Sequence, residues 1–138
     1  MSYSHDEIVF KVREIVARVG DCDVEKAGAD DSLINDIGLD SLDFLDLIFR
    51  LESAFNIRIK RGQIEKDARA MSEGENFEMG GVITPSGIEA LKKSLPEVPP
   101  ERFSAEMRVS DIPKLFTVMT FVRLVKSRLE ADDDETLG

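Results

Sequence analysis

Residues 36–49 read Asp36-Ile37-Gly38-Leu39-Asp40-Ser41-Leu42-Asp43-Phe44-Leu45-Asp46-Leu47-Ile48-Phe49, a glycine-containing turn that runs into an apolar helix with a serine at its first position. Gly38 permits a tight or positive-φ turn. Asp40 can accept a bond from an orphan N–H of the first helical turn, which leaves Ser41 projecting at the helix mouth. An anionic ester on Ser41 would lie near the positive end of the helix dipole, although Asp40 and Asp43 partly oppose it. Taken alone, Asp40-Ser41-Leu42 is an ordinary way to start a helix.

The residues after the serine change that reading. Leu42, Phe44, Leu45, Leu47, Ile48, Phe49, Leu51 and Phe55 cover far more than one stripe of the helix. A core face needs about half of them, so the rest belong on a contact surface or around an internal cavity. Asp43, Asp46 and Glu52 have spacings that share a face with Leu42, Leu45 and Phe49, giving an acidic rim around apolar knobs. Residues 30–54 hold seven acids against one base, Arg50, so more than half of the chain's net charge of −10 surrounds the serine. Asn56 ends this helix, and Ile57-Arg58-Ile59 reads as a short extended link.

Moving outward, Ser4 and Glu7 have capping-box spacing, and Ile8, Val12, Ile15, Val16 and Val19 recur at helical intervals until Gly20, predicting a helix over 5–19. Between Gly20 and Gly38 periodicity is lost, yet Val24, Leu33, Ile34 and Ile37 give the loop something to bury. A weaker helix over 60–71 would place Ile64, Ala68 and Met71 on one side. Five of nine glycines and four of five prolines then fall between Gly62 and Pro100, which marks 72–108 as an insertion. Within it Thr84-Pro85 has the form of an N-cap with proline in the first turn, and Ile88, Leu91 and Leu95 predict a short helix stopped by Pro96. Ser110 is the expected cap of a last helix carrying Leu115, Val118, Met119, Val122, Val125 and Leu129, with Pro113 in its first turn. The run Asp132-Asp133-Asp134-Glu135 predicts a disordered acidic tail over 131–138.

The fold class expected is all-α, a bundle of about four helices in one domain, with a core of about 4–71 and 109–130 and a partly helical insertion of about 72–108. Composition narrows the function. The 138 residues are 42% hydrophobic and 33% charged, which suits a folded chain. A net charge of −10 with no run of Lys or Arg excludes a nucleic-acid footprint and points to basic protein partners. Cys22 stands alone, no CxxC or Cys/His cluster offers a zinc site, and Asp30-Asp31 lacks the spacing of a calcium loop, so no metal is expected. His5, the only histidine, reads as a plain surface residue of a first helical turn, and no acid, base and nucleophile set is evident, so the chain is not expected to be an enzyme. With no membrane span and no signal-like N-terminus, a cytoplasmic monomer is expected.

The segment Gly38-Leu39-Asp40-Ser41-Leu42-Asp43, followed by an acidic and apolar-rich helix, resembles the acyl carrier protein family. Within that family, Asp40 through Phe49 together with Phe55-Asn56-Ile57-Arg58-Ile59 is most similar to the specialised carriers that deliver very long acyl chains to lipid A in some Gram-negative bacteria. The resemblance implies a 4′-phosphopantetheine arm from coenzyme A on Ser41, flanked by Asp40 and Leu42, with acyl groups carried on its thiol in fatty acid or lipid biosynthesis. It implies a docking face of Asp43, Leu45, Asp46, Phe49 and Glu52 for basic patches on a holo-acyl-carrier-protein synthase, ketosynthases and acyltransferases. The acyl tail would retreat between Phe44, Leu47, Ile48 and Leu51 and, from the last helix, Val118, Met119 and Val122. Two features depart from an ordinary carrier: the insertion, and the basic start of the 60–71 segment at Lys60 and Arg61. Two other readings stay open here, a carrier for polyketide or peptide synthesis and an unmodified helical adaptor.

Overall fold

Ser4 caps the first helix in the computed structural model, which describes residues 3–60, 62, 66 and 77–137. The helices are α1 (His5–Val19), α2 (Ser41–Phe55), α3 (Pro85–Ser94) and α4 (Val118–Leu137), with a two-stranded antiparallel hairpin of β1 (Glu78–Met79) and β2 (Val82–Ile83). The fold is a mostly helical bundle with an added segment, as the apolar periodicity predicts. Two compact units are distinguished, one of Met1–Ile59 with Thr117–Gly138 and one of Lys60–Phe116, and the expected insertion of 72–108 falls inside the second. The expected helix over 60–71, with Ile64, Ala68 and Met71, lies outside the described residues.

In the first unit, α1, α2 and α4 pack against one another. Ser4 Oγ accepts the Glu7 N–H at 3.1 Å while the Glu7 carboxylate accepts the Ser4 N–H at 3.0 Å, so two orphan donors of α1 are satisfied reciprocally. Val12 and Val16 of α1, Leu47 and Leu51 of α2, and Val118, Val122 and Val125 of α4 have no exposed surface. Each such aliphatic side chain stabilises the fold by roughly 1.5–3 kcal/mol relative to exposure.

The loop between α1 and α2 is fastened from both sides. The Arg13 guanidinium donates to the carbonyls of Ala27 at 2.8 Å and Val24 at 2.9 Å. Of the apolar residues read in this loop Leu33 is fully buried and Val24, Ile34 and Ile37 are half-buried, and Ala27 is fully buried beside them in sequence. A Cβ on Gly20 would stand 2.8 Å from Ile37 Cγ2, so glycine is required there for close approach although its φ is an ordinary −83°. Gly38, by contrast, adopts φ +89° with open space around it.

The start of the last helix differs from expectation. It begins at Val118, and Ser110 belongs to a 3₁₀ segment over Val109–Leu115 that contains Pro113. Thr117 is the cap: its Oγ1 accepts the Thr120 N–H at 3.2 Å, and Thr120 Oγ1 accepts the Thr117 N–H at 3.0 Å. The Val118 and Met119 N–H groups donate to the carbonyls of Asp31 and Ala29, and Ser32 forms an antiparallel bridge with Thr117. Partners distant in sequence therefore satisfy the helix start, which releases Ser110 from that role. The α4 backbone continues to Leu137, into the stretch expected as an acidic tail. Extending a packed helix fixes one residue per added hydrogen bond and avoids the nucleation cost.

The second unit has its own apolar centre of Phe77, Ile83, Leu91, Leu95, Val98, Met107, Ile112 and Leu115, all at most 5% exposed. Thr84 caps α3 by accepting the Gly87 N–H at 3.1 Å, with Pro85 in the first turn. A Cβ at Gly87 would run into the Phe77 carbonyl. The hairpin turns through Gly80 and Gly81 at φ +62° and +86°, the positive pair that a two-residue turn between antiparallel strands demands. Residues 107–109 extend the pairing, since the Ile83 N–H donates to Met107 O at 2.8 Å and the Val109 N–H to Gly81 O at 2.9 Å.

Candidate functional site

The chain reaches Ser41 through a run of backbone bonds anchored on Ser32. Its carbonyl accepts the N–H groups of Asp36 and Ile37, both at 3.0 Å, and its N–H donates to the Asp36 carboxylate at 2.7 Å. The Leu39 N–H then donates to Leu33 O at 2.9 Å, and Leu39 is buried. Gly38 makes the turn between these anchors, so Asp40 and Ser41 leave a fixed loop.

Asp40 caps α2 from an extended conformation, its carboxylate accepting the Asp43 N–H at 2.9 Å. The Asp43 carboxylate accepts the Asp40 N–H at 3.0 Å, completing a capping box. The Phe44 N–H is taken by Asp40 O. Among the described residues the N–H groups of Ser41 and Leu42 have no acceptor. Ser41 is exposed at the positive end of the helix dipole with two free amides beside its hydroxyl. A phosphate ester on Ser41 fits this position: the side chain is exposed and the amides supply donors for its oxygens.

The remaining expected residues take different places. Leu42 is 74% exposed and Phe49 56%, while Leu45 is half-buried. Asp46 is exposed and pairs with Arg50 at 3.0 Å, a contact worth only a few tenths of a kcal/mol at such exposure. Glu52 is engaged internally: its carboxylate accepts the Ile59 N–H at 2.9 Å, and its carbonyl accepts the Asn56 and Ile57 N–H groups where Asn56 turns left-handed at φ +55°. Asp43 likewise has a structural partner that its reading as a docking acid did not anticipate, although the three-residue spacing from Asp40 carried the signal.

Of the seven residues expected around an acyl chain, Leu47, Leu51, Val118 and Val122 are fully buried, and Phe44, Ile48 and Met119 are half-buried. Phe121, which the sequence reading passed over, places its ring 6.1 Å from that of Phe44 at 47°. A chain entering between α2 and α4 must part these side chains, because packed interiors leave little free volume. Among the described residues no cluster of three or more His, Cys, Asp and Glu could hold a metal, and no helix is long and apolar enough to cross a membrane.

Residues 11–69 match the family described as the phosphopantetheine attachment site. The chain is 35% identical over 65 residues to the acyl carrier protein AcpXL of Brucella melitensis, an alignment covering 47% of this chain and 67% of that protein. It is 32% identical over 65 residues to AcpXL of Mesorhizobium japonicum, again 47% and 67%. Over 63 residues it is 35% identical to the acyl carrier protein of Thermotoga maritima, covering 46% of this chain and 78% of that protein.

Proposed function

Because the chain belongs to the acyl carrier protein family, we propose that Ser41 is the residue that takes its covalent 4′-phosphopantetheine and that the exposed side of α2 presents the loaded arm to biosynthetic enzymes. The protein is a carrier in fatty acid or lipid biosynthesis, and catalysis resides in its partners. When bound, the arm supplies the thiol on which acyl groups travel as thioesters.

The observation that supports Ser41 is its exposure at the mouth of a capped helix, beside two amides with no acceptor. The chain's own residues hold and orient. Asp40 and Asp43 fix the first turn, Gly38 and the bonds to Ser32 fix the approach, and the free amides of Ser41 and Leu42 meet the ester oxygens. Leu42 and Phe49 offer apolar contacts, and Asp46 offers charge, to a basic patch on a holo-synthase, a ketosynthase or an acyltransferase. Residues 72–108, beyond the stretch of 11–69 that matches the family, are then an elaboration within one carrier domain.

The cargo proposed is a very long acyl group destined for lipid A, on the strength of the similarity to the AcpXL proteins. Its tail would part Phe44 and Ile48 of α2 from Met119 of α4 and lie against Leu47, Leu51, Val118 and Val122. Comparing NMR shifts of these residues with short and very long acyl arms tests the route; unchanged shifts for both would remove it.

The deciding experiment is intact mass after incubation with coenzyme A and a promiscuous phosphopantetheinyl transferase. One added phosphopantetheine, absent in Ser41→Ala, is the expected result. An unchanged mass in the folded protein would support an adaptor that uses α2 without modification.

A further inference from the structure

A cleft of about 370 Å³ opens on the first unit where α1 meets α2, lined by Lys11, Glu14, Ile15 and Arg18 from α1 and by Arg50, Ser53 and Ala54 from α2. Three cations and one carboxylate meet here on a chain whose net charge is −10. Lys11 and Arg18 are exposed and form no ion pair among the described residues, while Arg50 retains only its exposed contact with Asp46. An adjoining cleft of about 410 Å³ shares Glu14 and Arg18 but adds Asp21 and Asp23, so its lining has three carboxylates to one cation. The cationic character belongs to the first cleft alone of these two.

That cleft is distinct from the Ser41 site. Arg50 lies nine positions after Ser41, about two and a half helical turns, which puts them on opposite sides of α2. At physiological ionic strength charges are screened over about 8 Å, so a ligand in the cleft meets Lys11 and Arg18 more strongly than distant acids, while Asp46, 3.0 Å from Arg50, partly offsets it.

We propose that this cleft binds a soluble phosphomonoester, an interaction of the carrier separate from acyl loading. The guanidinium forks of Arg18 and Arg50 suit phosphate oxygens, Lys11 adds a point charge, and the Ser53 hydroxyl is a further donor. The volume of about 370 Å³ admits a phosphate with a small body attached. A soluble ligand rather than a lipid headgroup is favoured by the net charge, which repels an anionic bilayer.

The test is a ¹H–¹⁵N titration of the full chain with inorganic phosphate, chloride being varied to hold ionic strength constant. Saturable shifts at Lys11, Ile15, Arg18 and Ser53 are expected, weakened about tenfold or more in Lys11→Gln with Arg18→Gln and retained in the charge-keeping Lys11→Arg. Both residues are exposed, so the spectrum outside the cleft should be unchanged in the variants. Shifts that fail to saturate, that chloride reproduces, or that persist undiminished in the double variant would overturn the proposal. Flotation with phosphatidylglycerol vesicles supplies the second arm: no binding is expected, and capture by vesicles without a phosphate response would overturn the soluble ligand. The outcome at Ser41 does not affect this test.

Discussion

Asp40 and Asp43 each accept the other's backbone N–H, at 2.9 and 3.0 Å, so two acids beside the candidate serine are committed to the geometry of α2. Replacing Asp40 with Ala should cost about 1 kcal/mol, the usual range for a lost N-cap. Thermal unfolding measures it, and Asp40→Asn, which keeps an acceptor, should recover most of the loss. An unchanged midpoint for Asp40→Ala would mean the box contributes nothing to stability.

Charge reversal at Asp46 isolates docking from capping, because its carboxylate pairs with the exposed Arg50 and takes no part in the box. Asp46→Lys should slow association with a basic partner enzyme and flatten its dependence on salt, while stability changes by roughly 0.5 kcal/mol at most. Stopped-flow association at several ionic strengths reads both effects. Identical rates at low salt would remove Asp46 from the docking face.

Gly20→Ala should destabilise the fold by about 1–3 kcal/mol, as overpacking does, since the new methyl would meet Ile37 Cγ2 at 2.8 Å. Pairing it with Ile37→Ala tests the cause, because that change removes Cγ2 and should make the double variant lose less than the two single losses combined. Denaturant unfolding of the single and double variants is the measurement, and an additive result would point away from this contact.

Acid should loosen the start of α1. The Ser4 backbone N–H, and then its hydroxyl contact, hold the Glu7 carboxyl below its ordinary range. A carboxyl with a depressed folded-state pKa binds its proton more weakly when folded. Its contribution is therefore full above the unfolded pKa and is lost as pH falls through the folded one. Amide exchange in the first turn of α1, corrected for its intrinsic pH dependence, should quicken as pH drops below about 4.5, and Glu7→Gln should flatten that response.

The parts of the molecule legible in the sequence are those fixed by neighbours in sequence. Ser4 with Glu7, Asp40 before Ser41, and Thr84 before Pro85 announce their helices because cap and helix lie within three residues. Ser110 misleads because the donors at the start of α4 find Asp31 and Ala29, far back in the chain. The Gly80-Gly81 hairpin has strands of two residues, too short for an alternating pattern to register. Glu52 shows the limit for the site: its spacing puts it with the docking acids, and only the three-dimensional path of residues 56–59 reveals that it holds the Ile59 N–H. The cationic cleft is equally hidden, its residues being divided between two helices.

Two fastenings within the first unit bracket the excursion of residues 60–116. At the exit, Glu52 clasps the Ile59 N–H; at the return, Thr117 pairs with Ser32, the residue that also anchors the loop to Ser41. The length of chain between such clasps can change at small entropic cost, since closure entropy grows only with the logarithm of loop length. Changes of length within residues 72–108, beyond the family match of 11–69, should therefore leave the serine in its setting.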